Sequence, residues 1–298
     1  MPDRRCVVGF FVLLGCSPPS PTGVSLDRTI REPSGVTTSP RYPGVLWTHG
    51  DSGAGNWLFA IDRQGHVIRR LRVKGTINVD WEDITHDDRG NLWLGDTGNG
   101  DSGRRDLSVH RIPEPDPYAD VDEVYVDRSV DYFFPEQRRF GNKLADYDSE
   151  ALFWWRGDLW LLTKHRSDDW TRLYRFPSLE GGEVGLELVA RFDLGGYIDP
   201  GTRQRWSGQV TAAELALEGE YAGRYWAMLC YDGVFVFAVP ASGDGGELFG
   251  EVVSWIAFDS GVTGQVEALT WDGGDLVVIN EARAVFRIED PLTRTRYP

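Results

Sequence analysis

The 298-residue chain is long enough for one large or two ordinary domains, and no linker-like stretch divides its middle, so we expect one domain. Its 12 Trp, 11 Tyr, 14 Phe and 35 Gly residues favour strands and tight turns over helices. The formal charge of −15 argues against a nucleic-acid partner, because proteins that bind the phosphate backbone present clustered Lys and Arg.

The N-terminus has the pattern of an export signal. Two arginines precede an apolar run over residues 6–15, which is too short to span a bilayer and has the form of a signal-peptide core. Gly15 followed by Cys16 resembles the lipobox of bacterial lipoprotein precursors, in which cleavage falls before an acylated Cys. An ordinary secretory signal with an incidental Cys is the alternative. Residues 17–23 are Pro-rich and read as a tether.

The lipobox resemblance implies a lipid-anchored protein of the bacterial cell envelope. Ser17 rather than Asp follows Cys16, which by the rule known for enteric bacteria indicates the outer membrane. We expect the lipid anchor to be the chain's only membrane contact. With Cys6 removed and Cys16 lipidated, Cys230 alone remains in the folded part, so no intrachain disulfide is expected.

After the tether, a unit of short strands recurs five times. In the first unit, strands are predicted at residues 33–36, 45–51, 57–62 and 66–73, and in the second at 81–84, 91–96, 107–113 and 129–134. In the third unit they are predicted at 149–152, 158–164, 172–177 and 185–192, and in the fourth at 212–215, 224–231, 234–240 and 251–258. The fifth unit has strands at 266–269, 275–281 and 284–290.

This repetition predicts an all-β fold, a β-propeller of five four-stranded blades. The fifth unit lacks a fourth strand, which residues 24–30 could supply, so that an N-terminal strand closes the ring and leaves no long unpaired edges. A six-bladed ring, with a degenerate blade in residues 114–148, is the alternative. We thus expect a signal peptide over 1–15, the lipidated Cys16 and tether over 16–23, and a single propeller domain over 24–298.

Four tryptophans recur at one position of the second strand of their units, and we interpret them as packing between blade faces. They are Trp47, Trp93, Trp160 and Trp226.

Polar residues collect where each first strand begins and each second strand ends. Because these strands are antiparallel, both positions should meet at one mouth of the central channel. The first-strand positions are Glu32 and Ser34, Asp80 and Glu82, Asp148 and Glu150, Thr211 and Ala213, and Gln265 and Glu267. The second-strand positions are His49, Asp51, Asp96, Lys164, Tyr231, Asn280 and Glu281.

Carboxylates held this close are unfavourable unless a cation offsets their charge. Lys164 could supply one cation, and a divalent ion could supply another. Oxygen ligands suit Ca²⁺, or alternatively Mg²⁺, better than Zn²⁺. Two glycine-rich turns, 49–56 and 95–103, have a composition similar to calcium loops, and flexible turns are the plainer interpretation. The alternative for the whole polar set is hydrogen bonding to the backbone of neighbouring blades.

The acidic strand starts and the layout from residue 32 onward resemble the phytase-like, SdiA-regulated and gluconolactonase-like group of secreted bacterial propellers. This resemblance implies an acidic mouth that holds calcium and hydrolyses phosphate esters or lactones, with Glu82, Asp148, Glu150 and Glu267 implicated. The chain departs from the group at Ala213, which replaces an acid. Its cationic cluster is also reduced, to Lys164 with His49, His165 and Arg166 as further candidates.

Together these patterns assign roles to the mouth residues. The catalytic candidates are Glu82, Glu150 and Lys164. The ligand-binding candidates are His49, Tyr231 and Glu281, and the metal ligands are Asp51, Asp80, Asp96, Asp148 and Glu267.

Three functions compete on these residues. The first is a metal-dependent hydrolase of small phosphoester or lactone substrates. The second is a non-catalytic propeller that binds a small-molecule ligand or an envelope protein. The third is a glycoside hydrolase that uses a carboxylate pair across the mouth. In each case we expect a monomer.

Overall fold

The five predicted units fold into five antiparallel sheets, in a computed structural model that describes residues 21–141 and 146–293. Each sheet is one blade of a β-propeller. The first strands of successive blades contact one another and close a ring around the central channel. The fold is therefore all-β, with five blades.

The blades have the following strands. Blade 1 contains β2 (Pro33–Thr38), β3 (Val45–Gly50), β4 (Trp57–Asp62) and β5 (Val67–Lys74). Blade 2 contains β6 (Trp81–His86), β7 (Asn91–Asp96), β8 (Ser108–Pro113) and β10 (Arg128–Phe133), with β9 (Glu123–Tyr125) inserted before its last strand. Blade 3 contains β11 (Ser149–Trp155), β12 (Asp158–Thr163), β13 (Trp170–Arg175) and β15 (Glu187–Asp193), with β14 (Gly182–Gly185) inserted before its last strand. Blade 4 contains β16 (Val210–Leu215), β17 (Tyr225–Cys230), β18 (Gly233–Ala238) and β19 (Val252–Ala257). Blade 5 contains β20 (Val266–Asp272), β21 (Asp275–Asn280) and β22 (Ala284–Ile288).

The ring is closed by an N-terminal strand, as predicted, but that strand lies earlier in the sequence than expected. β1 (Pro21–Ser25) pairs antiparallel with β22 and completes blade 5. Residues 26–30, which were predicted to be in the strand, instead form a turn that buries Leu26 and Ile30 between blades 5 and 1. Residues 21–23 of the predicted tether thus belong to the propeller. Residues 1–20, with the predicted signal peptide and Cys16, lie outside the described residues.

The six-bladed alternative is wrong, because the described residues of 114–148 hold two strands and no further blade. β10 is the outer strand of blade 2, and β9 pairs in parallel with β5 of blade 1. In the same way, β14 leaves blade 3 and pairs in parallel with β10. Two insertions therefore cover the outer edge of the preceding blade and remove an exposed strand edge.

Every blade interface is filled by its own apolar cluster, so the described residues contain five such clusters. The four recurring tryptophans are at most 2% exposed and lie in these clusters, which confirms that they pack between blades. Trp226 stacks on Phe153 of blade 3 at 5.2 Å between ring centroids and on Phe237 at 4.5 Å. Cys230 is also buried, in the interface between blades 3 and 4.

The first strand of each blade carries a register irregularity near its start. A β-bulge of this kind re-aims a side chain that regular pairing would turn elsewhere. The residues at this position are Ser34, Glu82, Glu150, Thr211 and Glu267. In blade 4 the member is Thr211 and not Ala213, because β16 begins two residues before the predicted strand.

Helical structure in the described residues is limited to a 3₁₀ turn, Gly195–Tyr197, and one short helix, α1 (Ser260–Thr263). No helix among the described residues is long and apolar enough to cross a membrane.

Replacing Trp226 by Ala should reduce the free energy of unfolding by about 3–5 kcal/mol, because the cavity lies between two blades that cannot close over it. Urea denaturation of both proteins measures this loss. Phe133→Ala is the matched control, because Phe133 is 44% exposed on the outer strand of blade 2 and should change stability little. Equal losses in the two variants would contradict the interface role of Trp226.

Candidate functional site

A cavity of about 270 Å³ opens at the end of the channel where the first strands begin and the second strands end. It is the predicted mouth. Most of the predicted site residues line it, namely Asp51, Asp80, Glu82, Asp148, Glu150, Lys164, Tyr231, Glu267 and Glu281. Glu32, Ser34, Arg166 and Gln265 line it as well. The structure does not bring His49 or Asp96 to this cavity.

His49, predicted to bind ligand, is fully buried between blades 1 and 2. Its ring packs edge-on against Trp81 at 5.8 Å, and its Nδ1 lies 3.1 Å from the carbonyl oxygen of Gly50. Burial lowers the pKa of His49 to about 4, so the ring is neutral near pH 7. The prediction failed because alternate residues of β3 face opposite sides of the blade, and His49 faces the neighbouring blade.

Asp96, predicted as a metal ligand, forms an ion pair with Arg104 at 2.8 Å. Its carboxylate also accepts hydrogen bonds from the backbone N–H groups of Val79 and Asp80. These contacts use Asp96 to hold the segment that leads into β6. Arg104 directly follows the glycine-rich turn over residues 95–103, but strand periodicity does not predict how that turn folds back onto Asp96.

Asp51, Asp80 and Glu82 form a carboxylate triad, because one oxygen from each lies within 4.8 Å of the others. None of the three forms an ion pair with Lys or Arg in the described part of the chain. The Ser34 hydroxyl donates a hydrogen bond to Glu82 at 3.2 Å. Burial, together with the neighbouring carboxylates, raises the pKa of Asp80 to about 6 and that of Glu82 well above its usual range.

Gly98, in the second glycine-rich turn, forms a wall of this triad. A Cβ atom at residue 98 would overlap the carboxylates of Asp80 and Glu82. The backbone here is held in place, since Gly98 N–H donates to the Asp80 carbonyl at 3.1 Å and its own carbonyl accepts from Arg104 at 2.8 Å. The turn is therefore a fixed wall of the site, and glycine is required because any side chain would fill the space beside the carboxylates.

The other half of the mouth contains the cations. Lys164 is buried and forms an ion pair with Glu150, and its Nζ donates to the Tyr231 hydroxyl at 3.0 Å. Tyr231 in turn donates to Glu267 at 2.5 Å. Burial alone would lower the pKa of Lys164, but the carboxylates of Glu150 and Glu267 outweigh it and raise that pKa well above its usual value. Lys164 is therefore charged, and it offsets the negative charge of Glu150 and Glu267.

Arg166 is a second cation at the mouth, and the sequence patterns assigned it no catalytic or binding role. It pairs with Asp148 and lies 3.5 Å from an oxygen of Glu150. Asp148 also accepts a hydrogen bond from the backbone N–H of Asn99 at 2.6 Å, so its oxygens are already in use. The signal that could have identified Arg166 is its place two residues after Lys164 in the same turn.

Blade 4 contributes no carboxylate to the mouth, which leaves the acidic ring incomplete. At the bulge position, Thr211 donates its hydroxyl to the carbonyl of Val266 at 2.8 Å and joins blades 4 and 5. Below the mouth, Asp83 accepts backbone N–H bonds from Ile84 and from Leu152 of blade 3, each at 2.8 Å. Hydrogen bonding to the backbone of neighbouring blades, the alternative to a functional mouth, therefore accounts for Thr211 and Asp83 but not for the triad.

The arrangement divides the mouth into two chemically different halves. The triad side has three carboxylates that form no ion pair with a described Lys or Arg, so it can hold a hard divalent cation. The opposite side has Lys164 and Arg166 paired with Glu150 and Asp148. An anionic group placed between the halves would meet a cation on either side.

No family model matches the sequence, and a search of curated proteins gives no match. Solved structures similar to the chain include a catalytically inactive virginiamycin B lyase from Staphylococcus aureus with quinupristin, at 12% identity and a TM-score of 0.39. This match covers 86% of the present chain and 66% of the lyase, so the chain spans slightly less than two thirds of that protein. A gluconolactonase from Xanthomonas campestris is 11% identical over 92% of this chain and 95% of its own, with a TM-score of 0.42. A luciferin-regenerating enzyme is 10% identical over 86% and 77%, also with a TM-score of 0.42.

We expect the carboxylate triad to make stability depend on pH when divalent cations are removed with a chelator. Asp80 has a pKa of about 6 in the folded protein and 3.8 ordinarily, so between these values the folded state binds a proton that the unfolded state lacks. Its carboxylate therefore destabilises the fold above about pH 6, and this cost disappears as the pH falls through 6 towards 4.

The measurement is the melting temperature of wild type and Asp80→Asn at about pH 7.5 and about pH 5. The variant should be the more stable protein at the higher pH, and the difference should shrink at the lower pH. Asp88→Asn, at an exposed site on the opposite end of blade 2, should show no such dependence. A constant difference between wild type and Asp80→Asn would contradict a strained triad.

Proposed function

We propose that the mouth binds a divalent cation through Asp51, Asp80 and Glu82, and that the protein hydrolyses a small phosphoester or lactone bound beside it. The observation that carries the proposal is the triad itself, in which three carboxylate oxygens lie within 4.8 Å of one another and none is ion-paired with Lys or Arg in residues 21–141 and 146–293. Like charges gathered away from water are costly, and a bound cation would offset that cost.

Calcium is the cation that the donor set favours. All three donors are carboxylate oxygens, which suit hard cations, and no His or Cys side chain lines the mouth among the described residues. Ca²⁺ accepts six to eight oxygen ligands in flexible geometry, so that the triad, water and substrate oxygens can share its coordination. Mg²⁺ requires near-ideal octahedral geometry and is the weaker alternative.

A divalent cation at this place would polarise a substrate oxygen and lower the pKa of a bound water. Lys164 and Arg166 would bind the anionic part of the substrate from the opposite side of the mouth. Both are held in position by acidic partners, so that they need little reordering when substrate binds.

Glu281 is the best placed proton acceptor. It lines the mouth, forms no ion pair with Lys or Arg among the described residues, and accepts a hydrogen bond from Gln265 at 3.0 Å. Burial and the nearby Glu267 raise its pKa to about 7, which is the value a general base needs near neutral pH.

These assignments change several of the predicted roles. Lys164 binds the anionic part of the substrate, and Asp148 positions Arg166 instead of binding the cation. Glu82 becomes a cation ligand, and Glu281 becomes the proton acceptor. Glu150 positions Lys164, and Glu267 positions Tyr231, because each carboxylate is engaged by its partner.

Calorimetric titration with Ca²⁺ tests the cation site. We expect wild type to bind one ion, while Asp80→Asn and Glu82→Gln lose binding and Asp88→Asn retains it. Calcium at about 100 times its Kd should also stabilise wild type by about 2.7 kcal/mol, seen as a higher Tm. Absence of both effects in wild type would refute the site.

Turnover of 4-nitrophenyl phosphate and of a small aliphatic lactone, each with Ca²⁺ and with chelator, tests the hydrolase. Glu281→Gln should then lower kcat by about 10²–10⁴-fold while Ca²⁺ binding stays intact. Calcium binding without turnover of any ester would favour the alternative of a non-catalytic, ligand-binding propeller.

We further propose that the protein is anchored in the bacterial outer membrane through a lipid on Cys16. The support is the sequence pattern, in which Gly15 precedes Cys16 after an apolar run and Ser17 follows it. In a bacterial host, wild type should incorporate labelled palmitate and fractionate with the outer membrane, whereas Cys16→Ser should do neither. Unlabelled wild type would exclude the anchor.

A further inference from the structure

A second cavity, of about 470 Å³, lies beside the mouth on the face of blade 3. Its walls are the turn over residues 165–170, the end of β15 near Asp193, and residues 203–209 of the connection to blade 4. We refer to this cavity as the side cleft. Arg166 lines both the mouth and the side cleft, and its guanidinium donates to Gln209 at 3.4 Å. A ligand could therefore extend from one cavity into the other past Arg166.

The acidic residues of the side cleft are engaged. Asp168 is hydrogen-bonded to His165 at 2.6 Å, and Asp169 forms an ion pair with Arg203. Asp193 accepts the backbone N–H of Gly195 at 2.9 Å.

Arg205, in contrast, is exposed in the side cleft and forms no hydrogen bond or ion pair within the described part of the chain. Its guanidinium can therefore donate two parallel hydrogen bonds to a carboxylate or phosphate without losing a partner. The side cleft thus offers an anionic group a donor that is free.

Trp170, the first residue of β13, lines the same cavity and is 42% exposed. The exposed part of the indole offers a flat apolar contact to a ligand ring. The remaining lining is polar and rich in hydrogen-bonding groups, including Ser207 and Gln209. A flat apolar face among hydroxyl and amide groups matches a saccharide ring better than a purely apolar ligand.

Both walls of the side cleft are held rigidly. On one side, Asp146 accepts the backbone N–H groups of Arg166 and Ser167 at 2.9 and 3.1 Å and fixes the turn. On the other side, Asp232 accepts the Ser207 hydroxyl at 2.7 Å and the Gly208 N–H at 2.6 Å. A cavity formed in advance binds with a smaller entropy cost than one that must be ordered.

We propose that the side cleft binds an acidic saccharide unit, with its ring against Trp170 and its carboxylate on Arg205. The unit would be the part of the substrate that extends away from the bond hydrolysed in the mouth. This second statement rests on the proposed function, whereas binding in the side cleft does not need the cation.

Calorimetric titration in the presence of chelator tests the proposal. The probes are galacturonic acid, trigalacturonic acid and galactose, the first and last of which share a ring and differ in the acid group. We expect both acids to bind more tightly than galactose. Arg205→Gln should weaken binding of the acids about tenfold and leave galactose unchanged. Trp170→Ala should weaken binding of all three.

Arg89→Gln is the matched control, because Arg89 is an exposed arginine at the opposite end of blade 2. Its affinities should equal those of wild type. Tighter binding of the trimer than of the monomer would identify an acidic polysaccharide as the ligand of the side cleft, and equal binding would identify a free sugar acid. Either result supports the side cleft.

Equal affinities for galacturonic acid and galactose, or an Arg205→Gln variant that binds the acids as wild type does, would overturn the proposal. Because Arg205 is exposed and unpaired, its replacement should leave the Tm unchanged, so a loss of binding cannot be ascribed to unfolding. Because the titration is done in chelator, its result does not depend on the divalent cation that the proposed hydrolysis requires. Saccharide binding together with no turnover of 4-nitrophenyl phosphate or of the lactone in calcium would refute the proposed hydrolysis alone.

Discussion

Each blade must bury both of its faces against its two neighbours, and only a closed ring satisfies this requirement for every blade. Five interface clusters fill the ring, and the pairing of β1 with β22 joins the two ends of the described chain within blade 5. The buried turn with Leu26 and Ile30 is part of the same closure. Once the ring closes, the five first strands converge, and whatever polar residues begin them are forced together at one mouth.

Convergence has an electrostatic cost that the protein offsets unevenly. Beside blade 3, Lys164 and Arg166 form direct ion pairs with Glu150 and Asp148. Beside blades 1 and 2, the triad of Asp51, Asp80 and Glu82 has no such partner among the described residues. A protein that needed only a stable mouth could have placed a neutral residue there, as Thr211 does in blade 4. The unpaired carboxylates of the triad therefore favour a cationic ligand. The other half of the mouth holds its cations in place and is arranged to bind an anion.

Blade 3 connects this mouth to the side cleft. The turn after β12 carries Lys164 and Arg166 towards the mouth, and four residues later Trp170 begins β13 in the side cleft. Asp146 fixes the backbone of this turn, so the two cavities share one rigid wall. A substrate bound in the side cleft would thus have its remaining part positioned in the mouth, and no conformational change would be needed.

The sequence by itself determined the strands, their grouping into five blades, and the end of the channel at which the carboxylates meet. Alternation and turn residues are local features of a single blade, and comparison of successive units along the chain gives the number of blades. Only the tertiary structure decided which side chains face the mouth. A bulge in each first strand shifts the register, so that Thr211 replaces Ala213. The facing of β3 buries His49 against the next blade, and the fold of the turn after β7 pairs Asp96 with Arg104. Side-chain direction and ion pairing depend on contacts between packed blades and on loop conformation, which strand periodicity does not record.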